Sequence, residues 1–226
     1  MRIVGVTCES EAVFEHVLAH GEDPTSAPLG YGYRMLRPLS TRRSEEEIEL
    51  RLVVEPFDGP IPADRRRTSR NADPGLQGDE PPRVFQRIAA YAVVTSELGV
   101  LATEYSDRTG AAGRWGLPGG GIDPHEDPAD AVIREIAEET DQAVELGGLV
   151  GVHSGHWIGR SPRGHLEDFH AVRLIYAASC SSPTTPQVLD VGGTTESARW
   201  VRLDEWRKVR WTSGWRDLLS QWLPVS

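Results

Sequence analysis

The chain has 226 residues, enough for one large core or for a domain of about 140 residues carrying an extension. Its 24 basic residues against 34 acidic ones give a formal net charge of −10, which argues against sequence-independent binding to a nucleic-acid polymer. Two cysteines, Cys8 and Cys180, supply no disulfide framework, and no apolar run approaches the roughly 20 residues a membrane span needs; a cytoplasmic protein with no membrane attachment is expected.

Residues 3–7 and 47–54 read as strands, the second through the alternation Ile48, Leu50, Leu52, and a short helix is expected over residues 12–20. Residues 1–56 would form a small N-terminal α/β extension. Residues 57–84 shift to Pro, Gly, Asp and Arg with almost no large apolar side chains, the composition of a loop or linker. Its run Arg65, Arg66, Arg67 is read as part of a solvated loop rather than as an anion contact, because acids surround it. From residue 85 to 226 a second, larger domain follows. Strands are expected over 87–94, 99–104, 149–153, 170–177 and 198–201, with an amphipathic helix within 205–223 around Trp206, Val209, Leu218, Leu219 and Trp222. The mixture predicts an α/β (α+β) fold, a sheet sandwiched between helices.

The most informative segment lies between them. Asp127 is a favoured N-cap, Pro128 suits the first helical position and Asp130 adds negative charge to the first turn, so a helix should start there. At about 100° per residue, Ala129, Val132, Ile133, Ile136, Ala137 and Thr140 form a packing arc, opposite Glu135, Glu138 and Glu139. Like charges at these spacings destabilise a lone helix by roughly 0.2–0.5 kcal/mol per pair. Arg134 offers local relief, and a cation would reverse the penalty. Carboxylate oxygens suit Mg2+ or Mn2+, which also bridge phosphate oxygens; no Cys or His stands at zinc-like spacing within this helix. The implied substrate is a phosphate compound. A glutamate-rich helix is usually only a solvated face, but here it follows Gly116, Gly119, Gly120 and Gly121, which allow close backbone approach to a phosphate or metal.

Gly120, then five residues to Glu126, seven to Arg134-Glu135-Ile136 and one more to Glu138-Glu139, preceded by Trp115-Gly116-Leu117-Pro118-Gly119, resembles the Nudix box of the Nudix hydrolases. The pattern departs at its end, where Asp141 and Gln142 stand in place of Gly and an aliphatic residue. Asp tolerates the left-handed backbone of a helix exit less readily than Gly, so a small stability cost and intact chemistry are expected. The resemblance implies a loop-helix-loop site on a mixed sheet flanked by helices. It implies hydrolysis of a nucleoside diphosphate linked to another group, by water activated on Mg2+, with Mn2+ able to substitute. Carried over residue by residue, Glu138 and Glu139 look like metal ligands, Glu135 like a ligand or general base and Arg134 like the residue orienting it; the Gly119 carbonyl would complete the shell. Many members add an acid from a later loop. Glu196 is the best-placed candidate, with Glu167, Asp168 and Asp190 as competitors.

Residues 153–163 are read as a substrate-recognition loop, offering Trp157 as an aromatic face for a base and Arg163 for phosphate, with His156 a weaker candidate. Arg114, at the entry of the glycine-rich segment, is a further substrate-binding candidate. Trp is more often core and scattered His more often solvated. No signature resembling the NADH-cleaving or coenzyme A groups is present, and Trp157 stands where some ADP-ribose hydrolases carry proline. The expected partner is a small nucleotide, and the N-terminal strands could supply a homodimer edge. The alternative reading is a Nudix-fold nucleotide-binding or regulatory module with little catalysis.

Overall fold

The computed structural model describes residues 1–44, 47–60, 68–70, 81–161 and 164–223. The arginine run 65–67 and Arg163 lie outside the described residues. The chain divides into two compact units, the first built from residues 1–89, 121–128 and 148–175, the second from 90–120, 129–147 and 176–226.

In the first unit, β1 (Arg2–Val6) pairs antiparallel with β2 (Ala12–Val17) and parallel with β4 (Glu47–Pro56), which in turn pairs antiparallel with β3 (Tyr33–Ser44). The order is β2-β1-β4-β3, a sheet made entirely from the first 56 residues. Parallel register sets Ile3 beside Leu50 and Val6 beside Val53. Because side chains alternate between faces, Ile3, Leu50 and Leu52 fill one face while Val4, Val6, Val53 and Leu39 cluster on the other.

The helix expected over 12–20 is instead strand β2 followed by a turn. Phe14 stands directly across from Gly5, whose missing side chain leaves room for the ring: a Cβ there would lie 2.1 Å from Phe14 Cε1. Phe14 then stacks on Tyr31 with centroids 4.5 Å apart. A nine-residue helix is marginal alone, whereas β2 gains a backbone ladder and this aromatic contact. Strand β3 had no sequence expectation; its apolar residues do not alternate cleanly, and register shifts at residues 35–37 and 38–40 break its period.

A second sheet has the order β12-β7-β6-β11-β10-β5, with β5 (Thr68–Arg70), β6 (Arg83–Ser96), β7 (Gly99–Tyr105), β10 (Glu145–Arg160), β11 (Leu166–Ser179) and β12 (Thr195–Val201). Two short strands, β8 (Trp115–Gly116) and β9 (Gly119–Gly121), pair with β7 and β6. The helices are α1 (Pro128–Thr140) and α2 (Ser213–Trp222). The fold class is α+β, as expected.

In the second unit the indoles of Trp206 and Trp211 are almost fully buried, and Trp215, Leu218 and Leu219 form the inner face of α2. Trp115 is held on both sides: its N–H donates to the Arg210 carbonyl and its carbonyl accepts from Thr212. The Trp215 Nε1–H donates to Tyr105 Oη at 2.9 Å. These contacts fix the entry to the glycine-rich segment.

Candidate active site

Asp127, the residue before α1, accepts the Arg43 backbone N–H at 3.0 Å, and the preceding turn is closed by Glu126, whose N–H donates to the Asp123 carbonyl while its carboxylate accepts from Asp123 N–H. At the other end, Asp141 takes φ +53° and donates to the Ala137 carbonyl, the left-handed exit expected from the sequence. Gln142 is buried and well satisfied, accepting from Thr184 N–H and donating to Thr184 Oγ1 and the Thr140 carbonyl. The segment 187–190 finishes the helix by donating to its last carbonyls: Gln187 to Thr140, Leu189 and Asp190 to Glu138.

The buried arc of α1 differs from the expected one. Ala131, Val132, Ile136, Glu139 and Thr140 are buried, whereas Ile133 and Ala137 are exposed. Hydrophobicity alone would turn Ile133 inward. The arc is displaced toward Glu139 because that carboxylate has partners inside: one oxygen accepts the Gly119 N–H at 2.9 Å and the other a short hydrogen bond from the Thr195 hydroxyl.

Glu139 is therefore the most constrained acid in the second unit, only 8% exposed. Burial pushes its pKa up from 4.5 to about 7; the Thr195 and Gly119 hydrogen bonds pull it down, while the negative charges of Glu135 and Asp190 raise it further. Arg134 bridges the other two acids, donating to Glu135 at 3.2 Å and to Glu138 at 3.0 Å. Gly120 lies under Glu135: a Cβ there would fall 2.6 Å from the carboxylate. Gly119, at φ +136°, passes so close to Ala90 and Tyr91 that a Cβ would lie 2.3 Å from the Ala90 carbonyl oxygen. Both glycines are required by geometry, not only by turn propensity.

The donor set fits a hard divalent cation. Three carboxylates stand on one helix with Asp190 near the buried one, and all these donors are oxygens. Glu196 is exposed on β12, and it is its neighbour Thr195 that reaches Glu139. Asp190, a weaker sequence candidate, is the late-loop acid whose charge is felt at Glu139. Thr195 was invisible to sequence reasoning: a threonine 56 positions from its partner carries no local signal.

A family model described as NUDIX domain matches residues 85–223, more than half of the chain. The chain belongs to the Nudix family. Among curated relatives, human diphosphoinositol polyphosphate phosphohydrolase 3-alpha is 38% identical over 76 residues, covering 31% of this chain and 43% of the relative. The chloroplastic Nudix hydrolase 26 of Arabidopsis thaliana is 27% identical over 144 residues, 64% of this chain and 47% of the relative. The RNA pyrophosphohydrolase of Gluconacetobacter diazotrophicus is 36% identical over 105 residues, 40% and 63%. The chain thus spans less than half the length of the first two. Of the solved structures, the MutT protein from Methanosarcina mazei Go1 aligns with 63% of this chain and 95% of its own at a TM-score of 0.49 and 20% identity.

The expected recognition loop is not a loop as far as Arg160. Residues 153–160 belong to β10, and residues 156–158 pair in parallel with β5. Its Gly, Ser and His residues mask the strand because neither face is strongly apolar. Trp157 stacks on Phe169 with centroids 4.6 Å apart, and Phe169 meets Phe85 at 5.3 Å. Arg114 is exposed in the turn after β7. Both cysteines are free, Cys8 exposed and Cys180 buried. No helix among the described residues is long and apolar enough to cross a membrane.

Proposed function

We propose that this Nudix protein is a Mg2+-dependent hydrolase that cleaves a pyrophosphate linkage in a small nucleoside diphosphate compound, such as a nucleoside triphosphate or nucleotide sugar. The observation that carries the reading is the buried Glu139 carboxylate, tied to the Gly119 backbone and Thr195 beside Glu135 and Asp190. Burying an acid among acids is costly unless a cation joins them. In this reading Glu135, Glu138 and Glu139 hold Mg2+, or Mn2+ in its place, with the Gly119 carbonyl and an acid from residues 190–196, Asp190 or Glu196. A bound Mg2+ supplies charge neutralisation on the phosphate and acidifies a bound water.

The chain's own residues do the rest. Arg134 bridges the Glu135 and Glu138 carboxylates and fixes their direction, so that Glu135 can accept a proton from the attacking water. Thr195 and Gly119 keep Glu139 at one position as charge develops, which avoids reorganisation during the reaction. Trp157, Arg114 and Arg163 are the proposed substrate contacts, Trp157 as an aromatic face for a base. Residues 85–226 would be the catalytic domain and residues 1–56 the extension, in a cytoplasmic protein that binds no nucleic-acid polymer and whose N-terminal strands would supply a homodimer edge. The words pyrophosphohydrolase and phosphohydrolase in the relatives' names support the choice of bond.

Phosphate release from a panel of nucleoside triphosphates, nucleotide sugars, ADP-ribose and dinucleotides, with Mg2+ or Mn2+, tests this beside Glu139→Gln. Turnover of at least one compound, lost in the variant, is expected. A nucleotide that binds without turnover on any compound would replace the hydrolase by the regulatory module.

A further inference from the structure

Within the first unit, apart from the box glutamates, His20, His156 and Asp168 present ligand atoms that all lie within 4.8 Å of one another. His20 stands in the turn after β2, His156 on β10 and Asp168 on β11. His20 Nε2 is 3.0 Å from Asp168 Oδ1, and His156 Nε2 makes a short contact with the same oxygen. The two imidazole planes cross at 87° with centroids 5.1 Å apart, and both Nε2 atoms close on the one Asp168 oxygen. All three side chains are about one-fifth exposed.

We propose that His20, His156 and Asp168 form a second divalent-cation site of the Zn2+ type, distinct from the carboxylate site on α1. Two imidazoles and one carboxylate are the donors Zn2+ prefers, and three protein ligands leave a fourth position that the partial exposure opens to water. Tetrahedral bonds of about 2.0–2.2 Å put neighbouring ligand atoms roughly 3.3–3.6 Å apart. The His20 to Asp168 separation of 3.0 Å needs a few tenths of an ångström of opening to accept the ion, and the shorter His156 to Asp168 contact must open further, by a side-chain rotation of His156 or Asp168.

The surroundings are built to hold these rings. Glu22 N–H donates to the Ala19 carbonyl and the Glu22 carboxylate accepts from Ala19 N–H, closing the turn that presents His20. Gly21 within it takes φ +76°, and a Cβ there would lie 2.8 Å from His156 Nδ1; glycine is what lets the turn close against the ring. Beneath lies His170, fully buried, whose Nδ1 accepts the Gly21 N–H at 3.1 Å. Its proton is therefore on Nε2, directed to Ser154 Oγ at 3.1 Å, and its nitrogens are both engaged. His170 is the floor of the site and not a ligand. A bound ion would pin the turn after β2 to the consecutive strands β10 and β11, which lie far from it in sequence, much as structural zinc ties loops together.

The test uses the full chain in the Glu139→Gln background, which weakens the box site, stripped with a chelator and titrated with Zn2+ and with Co2+. The expected result is one tight Zn2+ equivalent per chain, an intense visible Co2+ band of low-coordinate geometry, and a rise in melting temperature with Zn2+. Adding Asp168→Asn or His20→Gln should weaken Zn2+ binding at least roughly tenfold and remove the Co2+ band. No tight equivalent in the parent, or one that both variants leave unchanged, would overturn the site and leave a hydrogen-bonded His-Asp-His cluster. Since Glu139 is already replaced, these outcomes do not depend on hydrolysis.

Discussion

Glu139 makes a quantitative prediction about the metal-free protein. Its pKa is about 7 in the fold and near 4.5 in an unfolded chain, so between those values the folded state holds a proton that the unfolded state has released. Stability from this group is therefore complete below about pH 4.5 and lost as pH rises through 7. At roughly 1.4 kcal/mol per pH unit, the loss is on the order of 3 kcal/mol, a large share of the 5–15 kcal/mol that holds a typical domain together.

Other acids titrate in the same range, so the informative quantity is the difference between wild type and Glu139→Gln. The amide is nearly isosteric, still accepts one hydrogen bond, and lets the Thr195 hydroxyl reverse to meet its NH2 group. In chelator, urea unfolding at pH 5 and pH 8 should show the two proteins close together at the lower pH. At the higher pH the variant should be the more stable by up to about 3 kcal/mol. Saturating Mg2+ should restore the wild type at pH 8 and do little for the variant, because a cation replaces the proton that burial demands. Parallel pH profiles in chelator would refute the reasoning, since they would mean that the Glu139 carboxylate suffers no net penalty for being charged where it is.

Two further outcomes follow from backbone geometry. Asp141→Gly should stabilise the protein by about 0.5–1 kcal/mol in urea unfolding with kcat unchanged, because it relieves a left-handed residue at the helix exit without touching the carboxylates. Gly5→Ala should cost roughly 1–3 kcal/mol by driving Phe14 off its place against Tyr31, and Phe14→Leu in the same chain should recover part of that loss in a double-mutant cycle.

Helix α1 was legible because its start signals, its glycine-rich approach and the spacing of Glu135, Glu138 and Glu139 are all local. Strands β1, β4, β7 and β11 were legible for the same reason, each being apolar enough to declare its period. What was lost is what depends on distant partners. Residues 12–20 carry no decisive local preference, and the choice of strand rests on the cleft that Gly5 leaves for Phe14. Residues 153–160 look like a polar loop until the neighbouring strands supply their hydrogen bonds.

Glu139 shows the same division inside the site. A helical wheel groups it with Glu135 and Glu138, opposite the expected packing arc. Its inward orientation could not be read there, because that is decided by the Gly119 amide, 20 positions before it, and the Thr195 hydroxyl, 56 after it. The three acids that look alike in sequence thus acquire different chemistry: Glu138 is solvent-facing and held by Arg134, Glu135 is sheltered over Gly120, and Glu139 is buried with a pKa close to neutrality. Such separation gives acids of one residue type different tasks: Glu139 is the buried carboxylate whose charge a cation would compensate, and Glu135 the one proposed to take the proton of the attacking water. It is also why exchanging any one of these glutamates for another acid should not give equivalent proteins: the residue type is shared, but the environment that sets its proton affinity belongs to the position.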